Sequence, residues 1–502
     1  MINDITKILD LKGSNIHVSD VKVRKGIKEI YLSTDPEVTF CPLCGRRMHS
    51  RGIYKRRVNH PIMQDGLATV LIINQRRWRC SNEECRYECN EEFSFVDKYR
   101  QNTNVSDLLI VDSFRDASLS VAQIAKRFHV SDSHALNTFL RYVDMPRRQL
   151  TEAISIDEVF LNIDQRKKYS LVIQDFITGE PIDLVVSRRK ADTLPYFSDI
   201  PRGERLKVKY LISDMYRPYA KYIDSYFPNA IHVIDAFHVI SLINRRFDSY
   251  IVSVQRAIRK RDEDRHYELE QELGRRIEFN QSNEYYLLKK MRWTILKSEK
   301  NLKPFKNPVY DHKLRKTMTL TEYQQRIYAI DPAFKKMQSL KDEYIKFNDR
   351  CSGNPKQARK ELPLLIEKYK NSGFREFEEA AYTLEEFFDP IINSFIMIQR
   401  INQTTGEVFS SRLSNGPVES LNRIIKDMKR VSRGYNNFNN IRTRFLFSQR
   451  PNAAILAVPK TLEEVNMYRP SRKRFRKNQR KMMGSSIRSR KYLHKRRTRR
   501  KY

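Results

Sequence analysis

Three acidic residues far apart in the chain, Asp157, Asp214 and Glu419, stand where carboxylates can do metal chemistry. Asp214 ends an apolar, β-branched run, Lys207 to Ser213 (KVKYLIS). A carboxylate at the end of a buried strand points into the crevice at the carboxyl edge of an α/β sheet, where ligands tend to bind. Asp157 lies midway along a second such stretch, Ile154 to Leu161 (ISIDEVFL). Glu419 falls in the first turn of a helix that opens on Asn415-Gly416-Pro417, a position where proline's missing N–H costs nothing. Carboxylates held close repel one another and normally share a cation or a proton. Mg²⁺ takes oxygen ligands and keeps positions open for phosphate and water. Two such ions ~3.5–4 Å apart can stabilise both the attacking and the leaving oxygen of a phosphoryl displacement. Plainer readings stand beside this one: Asp214 as a helix cap, Asp157 as a paired surface acid, Glu419 as a helix-dipole partner. Glu158 should face the other side of its strand from Asp157.

A second group suited to a metal is made of thiols. Cys41-Pro42-Leu43-Cys44-Gly45 is a Cys-x2-Cys knuckle, and Cys80 and Cys85 form a looser pair further on. Four sulfurs so arranged make a tetrahedral structural zinc site. Unligated thiols or a redox pair are the alternatives, and Cys89 could replace Cys85. Arg46, Arg47, Arg76 and Arg77 lie close to the two pairs, and positive charge on a metal-stapled module suits contact with DNA phosphates.

These residues need elements to position them. The chain before the cysteines alternates apolar and polar residues, as a short strand pair does. Residues 118–142 (SLSVAQIAKRFHVSDSHALNTFLRY) have the period of two helices around a short turn at Val130, with Ser131 as N-cap of the second. Helix-turn-helix spacing would turn Ser133, His134 and Asn137 towards a DNA groove, while a plain helical hairpin shares the same apolar pattern. From Ile154 the order becomes strand, strand, strand, helix, strand, helix, strand, helix. That is the order of an RNase H-like fold, in which the first and fourth strands are neighbours, so Asp157 would lie beside Asp214. Residues 247–405 are charged and rich in helix formers, and read as a large all-α insertion. After it, Leu421, Ile424, Ile425 and Met428 form a buried stripe, and Lys426, Lys429 and Arg430 a basic flank. The expected organisation is a multidomain α/β protein. It has a zinc-binding module (1–100), a helix-turn-helix (101–150), a catalytic domain in two parts (151–246 and 406–450) around the insertion, and a basic tail (451–502).

Composition agrees with a nucleic-acid partner. In 502 residues, 95 Lys+Arg outnumber 60 Asp+Glu, a net charge of +35 that calls for a polyanion. Residues 469–502 alone hold 17 Lys+Arg and no acid, which reads as a disordered arm on nucleic acid. A membrane surface is the competing polyanion. However, no apolar run approaches the length of a span, and Met1 to Asp10 lacks the pattern of a signal peptide. Six cysteines, five of them before residue 90, suit a reducing compartment. A cytoplasmic, nucleoid-associated protein is expected.

Taken together, the cysteine knuckles, the helix-turn-helix, SIDEVF, LISDMYRPY, VIDAFHVI, NGPVESLNRIIKDMKR and RGYNNFNNIR resemble the ISL3 family of bacterial insertion-sequence transposases. The resemblance runs from about residue 40 to 450. It implies a DDE enzyme with Asp157, Asp214 and Glu419 as the triad holding Mg²⁺ or Mn²⁺, and Cys41, Cys44, Cys80 and Cys85 as ligands of a structural Zn²⁺. His238, in the family's Asp-x-Phe-His signature, becomes a helper near the active site or a structural histidine. The implied partners are double-stranded DNA, both terminal inverted repeats and target, and a second copy of the chain, because two ends must be joined. The implied activity is strand cleavage and strand transfer. A transposase-derived DNA-binding regulator, or a structure-selective nuclease without strand transfer, are the alternatives.

Overall fold

The structure, a computed structural model, describes residues 11, 15–64, 67–164, 166–305, 307–433 and 437–467; the basic block 469–502 lies outside them, as do residues 1–10 and part of RGYNNFNNIR. The chain divides into two compact units. One holds the chain through Pro146, residues 163–165 and the chain from Ile424 onward; the other holds Arg147–Asn162 and Arg166–Arg423.

The first unit begins with a sheet of β1 (Ile16–Arg24), β2 (Ile27–Thr34), β3 (Met48–Gln64), β4 (Leu67–Cys80) and β5 (Glu88–Asn90), in the order β1-β2-β4-β3 with β5 on β4. Lys25 and Gly26 both take positive φ, 51° and 75°, which matches the twist of a two-residue hairpin turn. Ile30, Leu32, Val58, Leu71, Ile73 and Phe95 form the core. The β3–β4 ladder sets Met48 opposite Cys80. This long hairpin brings the second cysteine pair back beside the first.

Three helices follow: α1 (Asn104–Ser113), α2 (Val121–Arg127) and α3 (Asp132–Tyr142). Ser120 and Gln123 make a reciprocal capping box on α2, and the Ser131 hydroxyl accepts the His134 N–H at the start of α3. The apolar faces meet where Phe114 stacks on Phe139 with centroids 4.2 Å apart. The later helix Phe438–Ser448 closes the cluster. Its Phe447 meets Phe139 edge-on, and its Arg444, 2% exposed, lies over the Phe114 ring and donates to the Leu119 carbonyl.

In the second unit, β6 (Ala153–Asp164), β7 (Lys167–Asp175), β8 (Pro181–Val185), β9 (Tyr210–Ser213) and β10 (Ile231–Ile234) form one sheet in the order β10-β9-β6-β7-β8. β9 runs parallel to both β6 and β10, and β8 antiparallel to β7. Buried on one face are Ile154, Ile156, Leu171, Leu211, Phe197, Tyr219 and Phe227, under α4 (Lys190–Ser198) and α5 (Arg217–Tyr226).

α6 (Ala236–Leu273) then runs unbroken for 38 residues, capped by Asp235 at its start and by Gly274 at φ 60° at its end. The expected domain boundary at residue 247 therefore falls inside a continuous helix. Val239, Ile243, Phe247 and Ile251 make its buried stripe, the spacing of one helical face. They join Phe334, Met337, Tyr344, Leu362, Tyr369, Phe377 and Leu384 in the largest core of the molecule. These come from α7 (Ala333–Arg350), α8 (Pro355–Lys370) and α9 (Arg375–Glu386). The expected all-helical segment also carries a short hairpin, Val309–Asp311 with Lys316–Met318. A second hairpin, Met397–Ile401 with Val408–Arg412, leads into α10 (Gly416–Val431).

Arg444 joins the helix Phe438–Ser448 to the loop between α1 and α2 through the Leu119 carbonyl. Arg444→Ala should lower the stability of that unit by about 3 kcal/mol, since it leaves both a cavity and an unpaired carbonyl. Urea unfolding followed by tryptophan fluorescence and circular dichroism would measure the loss.

Candidate active site and metal centre

The acidic site is assembled by strand register. β6 and β9 pair Ala153 with Tyr210, Ile154 with Leu211 and Ser155 with Ile212. Continuing two residues along both strands sets Asp157 beside Asp214. On the other side of β9, Ile234 pairs with Ser213, so Asp235 follows as Asp214's next neighbour. Asp157, Asp214 and Asp235 thus stand level on three adjacent parallel strands of a mixed sheet, at the carboxyl ends of β9 and β10, where side chains exit the core into a crevice.

Asp157 is half-buried. Burial pushes its carboxyl up to about 6, against the Glu158 N–H that bonds its Oδ1 at 2.7 Å; the charges of Asp214 and Glu419 add to the rise and His238 opposes it. Asp214 Oδ1 accepts the Tyr216 N–H at 3.1 Å, so this carboxylate also pins the turn that starts α5. Glu419, in the first turn of α10, lies 4.0 Å from His238 Nε2 and donates its N–H to the Asn415 carbonyl at 3.0 Å. His238 Nε2 and both amide atoms of the fully buried Asn415 lack a hydrogen-bond partner among the described residues.

Two further residues hold this arrangement and were missed in the sequence. Asp235 caps α6 by accepting the Phe237 N–H on Oδ1 at 3.1 Å, and accepts the Asn415 N–H on Oδ2 at 2.9 Å. One carboxylate thereby ties the end of β10 to the turn preceding Glu419. Asn422 donates its amide to Asp157 Oδ2 at 2.7 Å. The signal for Asn422 was its i+3 spacing from Glu419, which places both on one helix face. The signal for Asp235 was its N-cap position ahead of a helical run. Glu158 accepts the Tyr219 hydroxyl at 2.8 Å and pairs with Arg188.

The four thiols converge. Cys41, Cys44, Cys80 and Cys85 all lie within 4.8 Å of one another; among the described residues no other trio of Cys, His, Asp or Glu meets that tightly, the acidic triad included. Cys41 and Cys85 sulfurs are 3.7 Å apart, and Cys44 and Cys80 sulfurs 3.4 Å. A tetrahedron with Zn–S of about 2.3 Å has edges of about 3.8 Å, so the cage is the right size for zinc. Gly45 at φ 70° turns the knuckle, and its N–H bonds the Cys41 carbonyl at 2.9 Å. Burial disfavours the Cys41 thiolate, but the N–H groups of Leu43 and Cys44 outweigh it and pull the thiol down to about 7. The Asn82 N–H favours the Cys80 thiolate, yet burial and the neighbouring sulfurs push it up to about 12. Cys89 pairs with Trp78 on β5 and stands outside the four.

The basic positions divide by what they touch. Arg46 and Arg47 are exposed. Arg76 donates to the Thr34 carbonyl at 2.7 Å, and Arg77 pairs with Glu88 at 2.7 Å, so both are engaged within the module. On α3, Ser133 is exposed and Asn137 half-buried. His134 turns to Asn102 at 2.7 Å and towards Asp107 at 3.8 Å. On α10, Lys426 and Arg430 are exposed, Lys429 is half-buried, and Arg430 lies 3.0 Å from Asp427. Among the described residues, no helix is long and apolar enough to cross a membrane.

Comparison with known proteins matches the chain to a transposase family. The model of the ISL3 transposase family, described as "Transposase", matches residues 154–445. The transposase for insertion sequence element IS1001 of Bordetella parapertussis is 28% identical over 225 residues, 43% of this chain and 53% of that protein. The chain thus spans about half the length of this curated relative.

The cage should carry one zinc per chain by metal analysis. Cys44→Ser should lower that stoichiometry and loosen the first unit, read as faster proteolysis after chelation; full zinc retention would mean the thiols are not the ligands. A pH effect follows from Asp157. Its folded-state value, about 6, lies above the ordinary 3.8, so ionising it destabilises the fold. The penalty is complete above pH 6 and is relieved as pH falls towards 4. In Mg²⁺-free buffer, Asp157→Asn should therefore raise stability by about 3 kcal/mol at pH 8. The gain should shrink as unfolding is repeated down to pH 4.

Proposed function

This chain belongs to the ISL3 family of transposases, and from that premise we propose that it cuts and rejoins DNA at the ends of an insertion sequence, with Asp157, Asp214 and Glu419 as its catalytic triad. The observation that carries this reading is the register of β6 against β9, which makes Asp157 and Asp214 neighbours, together with the Asp235–Asn415 bond that anchors the turn before Glu419. The sheet order β10-β9-β6-β7-β8 supports an RNase H-like catalytic domain interrupted by the helical segment.

The donor set fits a hard divalent cation. Its ligands are carboxylate oxygens, and Asp157 is pushed up to about 6 by burial and by the neighbouring acids. Asp157, Asp214 and Glu419 would hold Mg²⁺ or Mn²⁺, which stabilises the attacking and leaving oxygens of phosphoryl transfer when bound. The protein's own groups do the positioning. Asn422 fixes the Asp157 carboxylate, and Asp235 fixes the turn that presents Glu419. His238 would offer its unpaired Nε2 to a scissile phosphate, since a buried polar group left unpaired costs about 1–3 kcal/mol. The thiol cage would brace a DNA-contacting module through Arg46 and Arg47, and α2–α3 would act as a helix-turn-helix reading the terminal repeats. Strand transfer would follow when the freed 3′-hydroxyl attacks target DNA. Joining two ends requires two copies of the chain on DNA, in the bacterial cytoplasm at the nucleoid.

The test is a cleavage and joining assay on the element's own ends with Mg²⁺, comparing wild type with Asp157→Asn and Glu419→Gln. Each substitution should reduce cleavage by at least about 100-fold while end binding persists. Undiminished cleavage would mean the triad is misplaced. Failure of wild type to join a pre-cleaved end would favour a nuclease, and binding without any cleavage a regulator.

A further inference from the structure

Beside the acidic edge runs a chain of rings and one cation that the triad does not use. Tyr216 lies two residues past Asp214 and is held there by its N–H bond to the Asp214 carboxylate at 3.1 Å. From the residue that caps α5 and on along the helix, tyrosines recur at 216, 219, 222 and 226. Tyr219, Tyr222 and Tyr226 are buried, whereas Tyr216 remains 38% exposed. Helical packing alone accounts for the three buried members and leaves the first unexplained.

Tyr216 is also pre-positioned from both sides. Tyr219 meets it edge-on at 5.3 Å, and the Arg188 guanidinium sits 5.0 Å from its centroid. That same guanidinium lies 4.8 Å from Tyr169, which in turn meets Phe160 at 5.3 Å. Tyr169 and Phe160 are 40% and 43% exposed. Arg188 is held in this sandwich by Glu158, whose other oxygen takes the Tyr219 hydroxyl. The row Phe160–Tyr169–Arg188–Tyr216 is therefore a rigid, partly open face of rings around a cation that begins at a proposed catalytic acid.

Exposed rings interleaved with arginine hold single-stranded nucleic acid, because every base has a face to stack and arginine adds a cation–π contact. A duplex presents only its terminal base pair to such a face. We propose that Tyr216, with Tyr169 and Arg188, stacks an unpaired base of the DNA strand whose phosphate lies at Asp214, so that this protein binds its substrate with the end of the duplex opened. The proposal rests on the DNA-cleaving function above and deepens it. Glu158 is then a positioning residue, holding Arg188 and Tyr219 so that Tyr216 stays in place.

The experiment uses the full-length protein without divalent ion, so that binding is read without cleavage. Fluorescence anisotropy would compare three probes: a blunt duplex, the same duplex with a 3′ thymine tail, and that duplex with an abasic tail of equal length. Wild type should prefer the thymine tail over the abasic one by about tenfold. Tyr216→Ala should abolish this preference, and Tyr216→Phe, which keeps the ring, should retain it. Each protein's blunt-duplex affinity is the reference against which its tail preference is read. Equal binding of thymine and abasic tails by wild type, with blunt duplex still bound, overturns the stacking proposal alone. A preference that survives Tyr216→Ala overturns the assignment to this face. Failure of wild type to bind any of the three probes overturns the proposed function along with it.

Discussion

Like charges crowded at one sheet edge are the constraint on which the second unit turns. Asp157, Asp214 and Asp235 leave three adjacent parallel strands at the same level, and each has its negative charge met differently. Asp235 is neutralised structurally, with two backbone N–H groups on its oxygens. Asp214 is met in part, by one N–H. Asp157 has two donors, the Glu158 N–H and the Asn422 amide, yet burial and the facing Asp214 and Glu419 still push it up to about 6. Burial rather than a lack of donors sets Asp157 apart, and sequence spacing alone could not show it.

The surrounding architecture serves that edge. The Asn-Gly-Pro turn can present Glu419 because Asp235 holds it, and α10 then places Asn422 one turn later against Asp157. The hairpin ahead of α10 is anchored as well. Arg412 lies over Phe395 and donates to Ser394 and to Asn348 of α7, so the helical segment contributes to the placement of the third acid. A long segment between the second and third acids is thus no loose insertion, because its core includes Ile234 and Val239 from the strand and helix beside the site.

The first unit solves a different problem with the same economy. Thiols 36 residues apart in sequence come to 3.4 Å because β3 and β4 form one long hairpin with Cys80 opposite Met48. The basic side chains around the cage do not all face outward. Arg76 and Arg77 are engaged with Thr34 and Glu88, and His134 is turned to Asn102. Each makes a short-range bond that satisfies a polar group inside the module, which a reading of charge density cannot anticipate.

Local pattern carried much of this protein. Strand runs ending in acids, helix caps such as Ser120 and Ser131, the Cys-x2-Cys knuckle and the tyrosine stripe of α5 depend on neighbours within a few residues, and their side-chain types announce them. Tertiary structure decided the rest. It determined that α6 begins at Ala236 and passes unbroken through residue 247, that Cys85 rather than Cys89 completes the thiol cage, and that Asn422 and Asp235 brace the acids. It also brought Arg188 between two tyrosines. Those outcomes depend on which distant backbone or side-chain groups come within hydrogen-bonding or stacking reach once the sheet is paired and the cores are closed, and no periodicity along the chain encodes that distance.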